Sequence, residues 1–516
     1  MLSRSQANVA IVAALAFAGS LSRLPFVRAT PINWDAVQFA LAVERFDLHL
    51  HQPHPPGYLL YVLVGRAINV FVSDPSLSLS LLSVLFCGMA VPLFYALCRQ
   101  VFENVPVAVC ASLLMLGSPL TLYYGATGLT YVPEMALAIV VAWVAWNLRG
   151  ANSKGVARYA ALLGVTLGVA GGVRQTSLLL LVPLCAWALW GAPRKAWAAF
   201  VLVLTGICAL WLVPLLVMSG GVEAYLRENA LLGQTVSDLT SLVGAGPEGV
   251  AYNLYIEVVA LAVGLALALV PLGLWALRVV RFSLSSRLKW FVFWWAVPPL
   301  AFFAVTHIGQ LGYVLMLLPP LLMLAAISTA VTWERLRGDT PSAARRSVLS
   351  CLGLAVASAC VFLFAPEPTT APQIAAMDQR WHDIKQTLTQ MDPASTALIM
   401  GSSWHSSFRH AGYLLPQYHS YALDQKGNRL NGWNYSAYGG ESTYALPKPE
   451  PQPYLQLPPG TYTIVALDKD VGEGLAAQPG LQRVSLGDDT ALYVLHSPVS
   501  IDGLRVENGT ITPVQR

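Results

Sequence analysis

Charge is what this sequence has least of. Lys, Arg, Asp and Glu make up 11% of its 516 residues, while 55% are hydrophobic. That apolar share exceeds what a soluble core of this length would bury, so the composition points to a membrane protein. Internal repeats and nucleic-acid signatures are missing too. Cysteine is absent from the last 151 residues. The seven present (Cys87, Cys98, Cys110, Cys185, Cys208, Cys351 and Cys360) lie in or beside apolar segments without a CxxC pair, so no disulfide or zinc site is expected of them. His49, His51 and His54 (HLHQPH) have no cysteine or second carboxylate cluster to complete a tetrahedral metal site. GSSWHSS (401–407) sets serines near His405 without the G-x-S-x-G elbow of a serine hydrolase. Asn508-Gly509-Thr510 fits a glycosylation acceptor and marks at most a loop.

The few charges are unevenly placed. Residues 1–365 hold 34 of the 58 charged side chains and the last 151 residues hold 24. The chain therefore divides near Pro366 into a transmembrane domain (1–365) and a soluble domain (366–516). Crossing about 30 Å of hydrocarbon takes roughly 20 helical residues. Eleven apolar stretches qualify, near residues 7–24, 77–98, 106–122, 133–148, 157–173, 176–190, 197–217, 252–277, 290–306, 311–332 and 347–364. The first resembles a signal peptide, with Arg4 ahead of Ala7–Leu21, but the spans that follow make it the first transmembrane helix. Pro55–Val72 is apolar yet short, and it carries Arg66 and Asn69 where a lipid-facing charge costs several kcal/mol.

If Pro55–Val72 does not cross, 15 of the 21 Lys and Arg of the membrane part fall on the side of the N-terminus, as positive-inside orientation requires. Most acids, Asp35 and Glu134 among them, then lie outside with the tail, so function is sought on the non-cytoplasmic face. In the tail, Ile374–Met391 has helical character, and Thr396–Met400, Thr461–Leu467 and Ala491–Leu495 read as strands. Gln425–Gln456, rich in Gly, Asn, Tyr, Ser and Pro, reads as loop. The expected fold is thus a polytopic α-helical membrane protein of about eleven transmembrane helices, with amphipathic outer-loop helices and a small C-terminal α/β domain.

The first outer loop is the most informative stretch. It runs INWDAVQFALAVERFDLHLHQPHPPGYLLY from Ile32 to Tyr61, with Asn33 and Asp35 at the start of an amphipathic helix. A partly desolvated carboxylate there can act as general base towards an acceptor hydroxyl. It can equally be an acid that the helix dipole favours. The prolines of His54-Pro55-Pro56-Gly57-Tyr58 hold His54 rigidly ahead of the segment they open, where it can meet a phosphate or a phosphate-bound metal.

Taken together, these stretches resemble the glycosyltransferase C superfamily, which includes protein O-mannosyltransferases and the lipid A aminoarabinose transferase. The resemblance rests on Asp35 with HPPGY (54–58), on Glu134 in GATGLTYVPEMALA, on Arg174 in GGVRQTSLLLLVPL, on HIGQLGYVLMLLPPL (307–321) and on the outer tail. It implies that Asp35 activates the acceptor and that a sugar leaves a polyprenyl phosphate with inversion. Glu134 would be the second acid, near the sugar or a metal. A divalent cation (Mg or Mn) held by Asp35 and Glu134 is the cofactor the resemblance allows. Asn33, His54 and Tyr58 fall in its substrate-binding stretch. Arg174 and His307 end apolar spans and are candidate lipid-phosphate contacts, although snorkelling or local pairing would also place charges there. The partners implied are the lipid-linked donor, membrane lipids and an acceptor in protein, lipid or envelope glycan. The alternative class is a transporter or lipid flippase, which should place charged or broken-helix sites at the bilayer midplane in two related halves.

Overall fold

The structure, a computed structural model, describes residues 4–338, 340–401, 407–426, 429–436, 455–456, 463–468, 481–485, 491–496, 500–501, 504–507 and 510–513. Two candidate motifs, GSSWHSS and Asn508-Gly509-Thr510, lie largely outside them, as does much of the expected 425–456 loop. The chain forms two compact units. One joins Met1–Arg28 to Tyr58–Ile374, and the other joins Ala29–Gly57 to Ala375–Arg516.

The first unit is helical. In chain order the helices up to its end, with α2 belonging to the second unit, are α1 (Arg4–Leu21), α2 (Trp34–Glu44), α3 (Leu59–Val72), α4 (Pro75–Phe102), α5 (Val105–Gly117), α6 (Pro119–Tyr124), α7 (Tyr131–Arg149), α8 (Val156–Val173) and α9 (Thr176–Leu189). There follow α10 (Arg194–Met218), α11 (Val222–Thr240), α12 (Gly246–Leu265), α13 (Leu269–Ala276), α14 (Ser286–Val305), α15 (Leu318–Arg337) and α16 (Pro341–Phe364). Among the described residues nine helical segments are long and apolar enough to cross a membrane, making this a multi-pass membrane protein. All eleven expected spans recur as helices. Two of the eleven fall short of the length that crosses: α9, found within its expected bounds at 14 residues, and residues 106–122, which the Ser118-Pro119 step splits into α5 and α6 because a residue before proline is driven to extended backbone.

The short segment after the first loop also behaves as its length requires. With 14 residues, α3 rises about 21 Å, less than the hydrocarbon thickness. It begins at Leu59 and not at the prolines, since Gly57 and Tyr58 both take positive φ (111° and 46°) before the first helical turn.

Without a hydrophobic drive between helices in lipid, close approach of backbones is what holds such a bundle. Gly117 of α5 lies against α16 so closely that a Cβ would stand 2.3 Å from the carbonyl oxygen of Ala355. Gly164 and Gly168 of α8 face α10 in the same way, 2.7 Å from Phe200 O and from Ile207. Tyr123, Tyr124 and Trp295 are buried within the bundle.

The second unit is the α/β part. It contains α17 (Ala371–Leu388, from Ala375 onward), β1 (Thr396–Gly401), α18 (Phe408–Leu414), β2 (His419–Lys426), β3 (Arg429–Ser436), β4 (Leu455–Gln456), β5 (Thr463–Ala466), β6 (Leu481–Ser485) and β7 (Ala491–His496), followed by the short strands β8 (Ser500–Ile501), β9 (Leu504–Glu507) and β10 (Thr510–Pro513). The main sheet runs β3-β2-β1-β5-β7-β6, with β2, β1 and β5 parallel. On α17, Met377, Trp381, Ile384 and Leu388 recur at helical spacing and pack against Leu398 and Met400 of β1. The expected strands are found; β3 departs from expectation, since a strand lies within the stretch read as loop. It pairs antiparallel with β2 through backbone bonds, which its polar composition does not prevent.

Enlarging Gly117 tests the helix contact. Gly117→Leu should lower stability in detergent by about 1–3 kcal/mol, seen as a lower Tm. Gly206→Leu, where nothing lies within 4 Å, should leave Tm nearly unchanged.

Candidate active site

A buried guanidinium organises the polar centre of the first unit. Arg174 follows α8 in extended conformation (φ −149°, ψ 113°), with its N–H still donating to Ala170 O at 2.9 Å. This RQT turn brings Ser177 onto the first turn of α9. Glu134 lies in the first turn of α7, where the helix dipole favours an acid. Packing of α7 on α9 then joins the three. Ser177 Oγ donates to Glu134 Oε1 at 2.8 Å, and Arg174 Nε stands 3.5 Å from Glu134 Oε2.

Arg174 is 5% exposed and Glu134 3%. Its remaining contacts are hydroxyls and aromatic faces. Nε and Nη1 approach Thr176 Oγ1 and Thr130 Oγ1, each at 3.3 Å. The guanidinium carbon lies 4.6 Å from the ring centre of Tyr131 and 4.5 Å from that of Tyr313, within cation–π range of both. Tyr58, buried at the start of α3, also interacts electrostatically with Arg174. The close packing of this layer depends on Gly312, where a Cβ would meet the Tyr131 ring at 2.4 Å.

His307 joins the same cluster through Tyr313, ring centres 6.0 Å apart and perpendicular. Its Nδ1 shares a 2.8 Å hydrogen bond with Thr240 Oγ1 at the end of α11. Asn253 fixes the surrounding backbone: its Nδ2 donates to Thr240 O and Ala304 O, and its Oδ1 accepts from Ile308 N. Gly309 lies against the opposite ring nitrogen, where a Cβ would come within 2.7 Å of Nε2.

Asn33, Asp35 and His54 belong to the second unit. Asn33 caps α2, its Oδ1 accepting from Ala36 N at 3.0 Å, so this oxygen is committed to the helix start. Asp35 is half-buried in the first turn. The His54 ring packs 5.3 Å from Phe39, which is four residues on from Asp35 and shares its helix face. His51 is buried in the turn closed by paired Asp47–Gln52 hydrogen bonds. Burial first, then the neighbouring Arg409, His54 and His49, push its pKa down to about 3. Burial, aided by Arg380, likewise pushes His410 down to about 4, although its hydrogen bond to Pro31 O works the other way.

Arg174 thus gathers Glu134, Tyr58 and, through Tyr313, His307. Thr130, Tyr131, Ser177, Tyr313 and Asn253 complete the cluster without having been singled out in the sequence. Tyr131 and Tyr313 do fall inside the two motifs quoted for Glu134 and His307. As for a metal, both Glu134 oxygens are engaged, by Ser177 and Arg174. Among the described residues no three His, Cys, Asp or Glu side chains gather to hold an ion. The residues present do not fit an ion caged by protein ligands alone.

Two outcomes follow. Removing one partner of the buried pair should cost about 3–5 kcal/mol of stability, so Arg174→Met and Glu134→Gln should each lower Tm sharply, while the double variant recovers part of the loss. His51 and His410 stay neutral in the folded state below pH 6.5, where the unfolded chain binds protons. Stability should therefore fall as pH drops from about 6.5 towards 4, by up to about 1.4 kcal/mol per histidine per pH unit. His51→Gln should flatten that slope in pH-dependent thermal unfolding.

Residues 45–197 match the family described as the protein O-mannosyl-transferase TMEM260 N-terminal domain. No curated protein sequence matches the chain. Among solved structures, ArnT from Cupriavidus metallidurans bound to undecaprenyl phosphate is 13% identical, with a TM-score of 0.57 over 95% of this chain and 97% of that one. The apo structure of the same protein gives 12% identity and a TM-score of 0.55, covering 95% and 98%. The chain therefore has the fold seen in ArnT, and its residues 45–197 are similar to the N-terminal domain of that O-mannosyl-transferase family.

Proposed function

We propose that the chain transfers a sugar, with inversion, from a polyprenyl-phosphate donor to an acceptor at the non-cytoplasmic face of a membrane. The observation that carries this is Arg174, a buried guanidinium held between two tyrosine rings in a fold whose solved representative binds undecaprenyl phosphate. A lipid-linked donor brings its phosphate to the membrane interface, and a preorganised cation there stabilises the charge that develops as the phosphate leaves. The orientation follows from the basic residues, which put the N-terminus inside and the tail outside.

In this reading Asp35 takes the proton of the acceptor hydroxyl as that oxygen attacks the anomeric carbon. The bond from the anomeric carbon to the phosphate oxygen breaks, and its electron pair leaves with the polyprenyl phosphate. Arg174, oriented by Glu134, meets the phosphate oxygens, with His307 assisting. His54 and Tyr58 contact the donor, and Asn33 holds the helix that presents Asp35. The acceptor offers a hydroxyl of a protein, a lipid or an envelope glycan.

The test is transfer of label from a panel of polyprenyl-phosphate sugars into envelope material by membranes containing the protein. Wild type should incorporate label from one donor. Asp35→Asn should lower incorporation by about 10²–10⁴-fold, the usual contribution of a general base. Donor left unconsumed by wild type, with sugar or lipid moved across the bilayer instead, would favour a transporter.

A further inference from the structure

We infer that the C-terminal part of the chain is the positioning device for Asp35, and that Arg409 is its central positioning residue. The inference rests on the reading of Asp35 as the base. It starts from what the first loop lacks. At 11 residues α2 is shorter than an isolated helix needs to be stable in water. The rest of residues 29–57 forms no other regular element beyond the single Asp47–Gln52 bridge. The core that fixes it comes from the tail.

Trp34, the residue before Asp35, packs in one cluster with Trp381, Ile384, Phe408 and Ala411. Arg409 on α18 is 9% exposed. It donates from Nη2 to Leu50 O at 3.0 Å, and its guanidinium lies 5.8 Å from the Trp34 ring centre. One side chain thereby ties the start of α2 to the turn that follows it. His410, stacked on Trp381 at 5.5 Å and 14°, donates from Nε2 to Pro31 O at 3.1 Å. Thr30 Oγ1 donates to Asp378 at 2.6 Å. The backbone on both sides of Asp35 is fixed to α17 and α18.

The anchor continues into the sheet. Asp468, just past β5, accepts from Gly401 N and from the N–H and hydroxyl of Ser407, the residue that opens α18. Arg380 of α17 donates to Ser407 Oγ at 2.7 Å and to Leu467 O at 3.1 Å. A continuous line of polar contacts therefore runs from the ends of β1 and β5 through α18 to the loop that carries the base. A misplacement of about 1 Å costs a reacting group on the order of 10²-fold in rate, so such a brace acts on turnover before it acts on binding.

Full-length protein decides the matter in two measurements, hydrogen exchange and steady-state transfer. In Arg409→Ala, amides of residues 31–52 should exchange faster while those of α17 and β1 keep their protection. Turnover should fall about 10–100-fold, with donor KM within about twofold, and Arg409→Lys should recover part of it. In an Asp35→Asn background Arg409→Ala should cause no further loss. Should Arg409→Ala unfold the tail, Thr30→Ala removes a single tether and should shift both readouts the same way, less far. Unchanged exchange, or faster exchange with unchanged turnover, overturns the inference. An Asp35→Asn variant of full activity overturns the base reading instead, and the exchange data then still say whether Arg409 holds the loop.

Discussion

A charged guanidinium cannot remain buried without a counter-charge and acceptors for its remaining protons, and the polar centre of the helical unit is built around that constraint. Arg174 is 5% exposed. Glu134 supplies the charge, Thr130 and Thr176 supply oxygens, and Tyr131 and Tyr313 supply negative ring faces. Replacing the whole set with apolar residues would be cheap in stability, since buried ion pairs roughly break even against hydrophobic packing. Under the proposed function, the cation's use lies in what it binds rather than in what it stabilises.

The second unit obeys a different constraint. A short helix and a proline-rich turn cannot order themselves in water, because the entropy of fixing each residue outweighs the few contacts available within the loop. Trp34 solves this by entering the core beneath α17 and α18. The consequence is that the acid with the best claim to base catalysis takes its place from residues more than 300 positions later in the chain.

How much of this could be read from residues alone differs by element. The spans were legible because hydrocarbon leaves no other way to satisfy a backbone, so long apolar runs have one outcome. Asp35, Glu134, Arg174 and His307 stood out because ionisable groups at the ends of apolar helices are few. The pairing of Glu134 with Arg174 and Ser177 was not legible, since it depends on which faces of α7 and α9 meet. Tyr123 and Tyr124 form an edge-to-face ladder with Tyr131, a contact that periodicity cannot show. Likewise β3 was hidden in a polar stretch, since edge pairing uses backbone groups and carries little hydrophobic pattern.

The most direct measurement is retention of carrier lipid by the purified protein, comparing undecaprenyl phosphate with undecaprenol by native mass spectrometry. The account predicts that the phosphate is what the protein holds: undecaprenyl phosphate stays bound, undecaprenol does not, and Arg174→Met abolishes the difference. Equal retention of both lipids, or a preference untouched by the loss of Arg174, would contradict it.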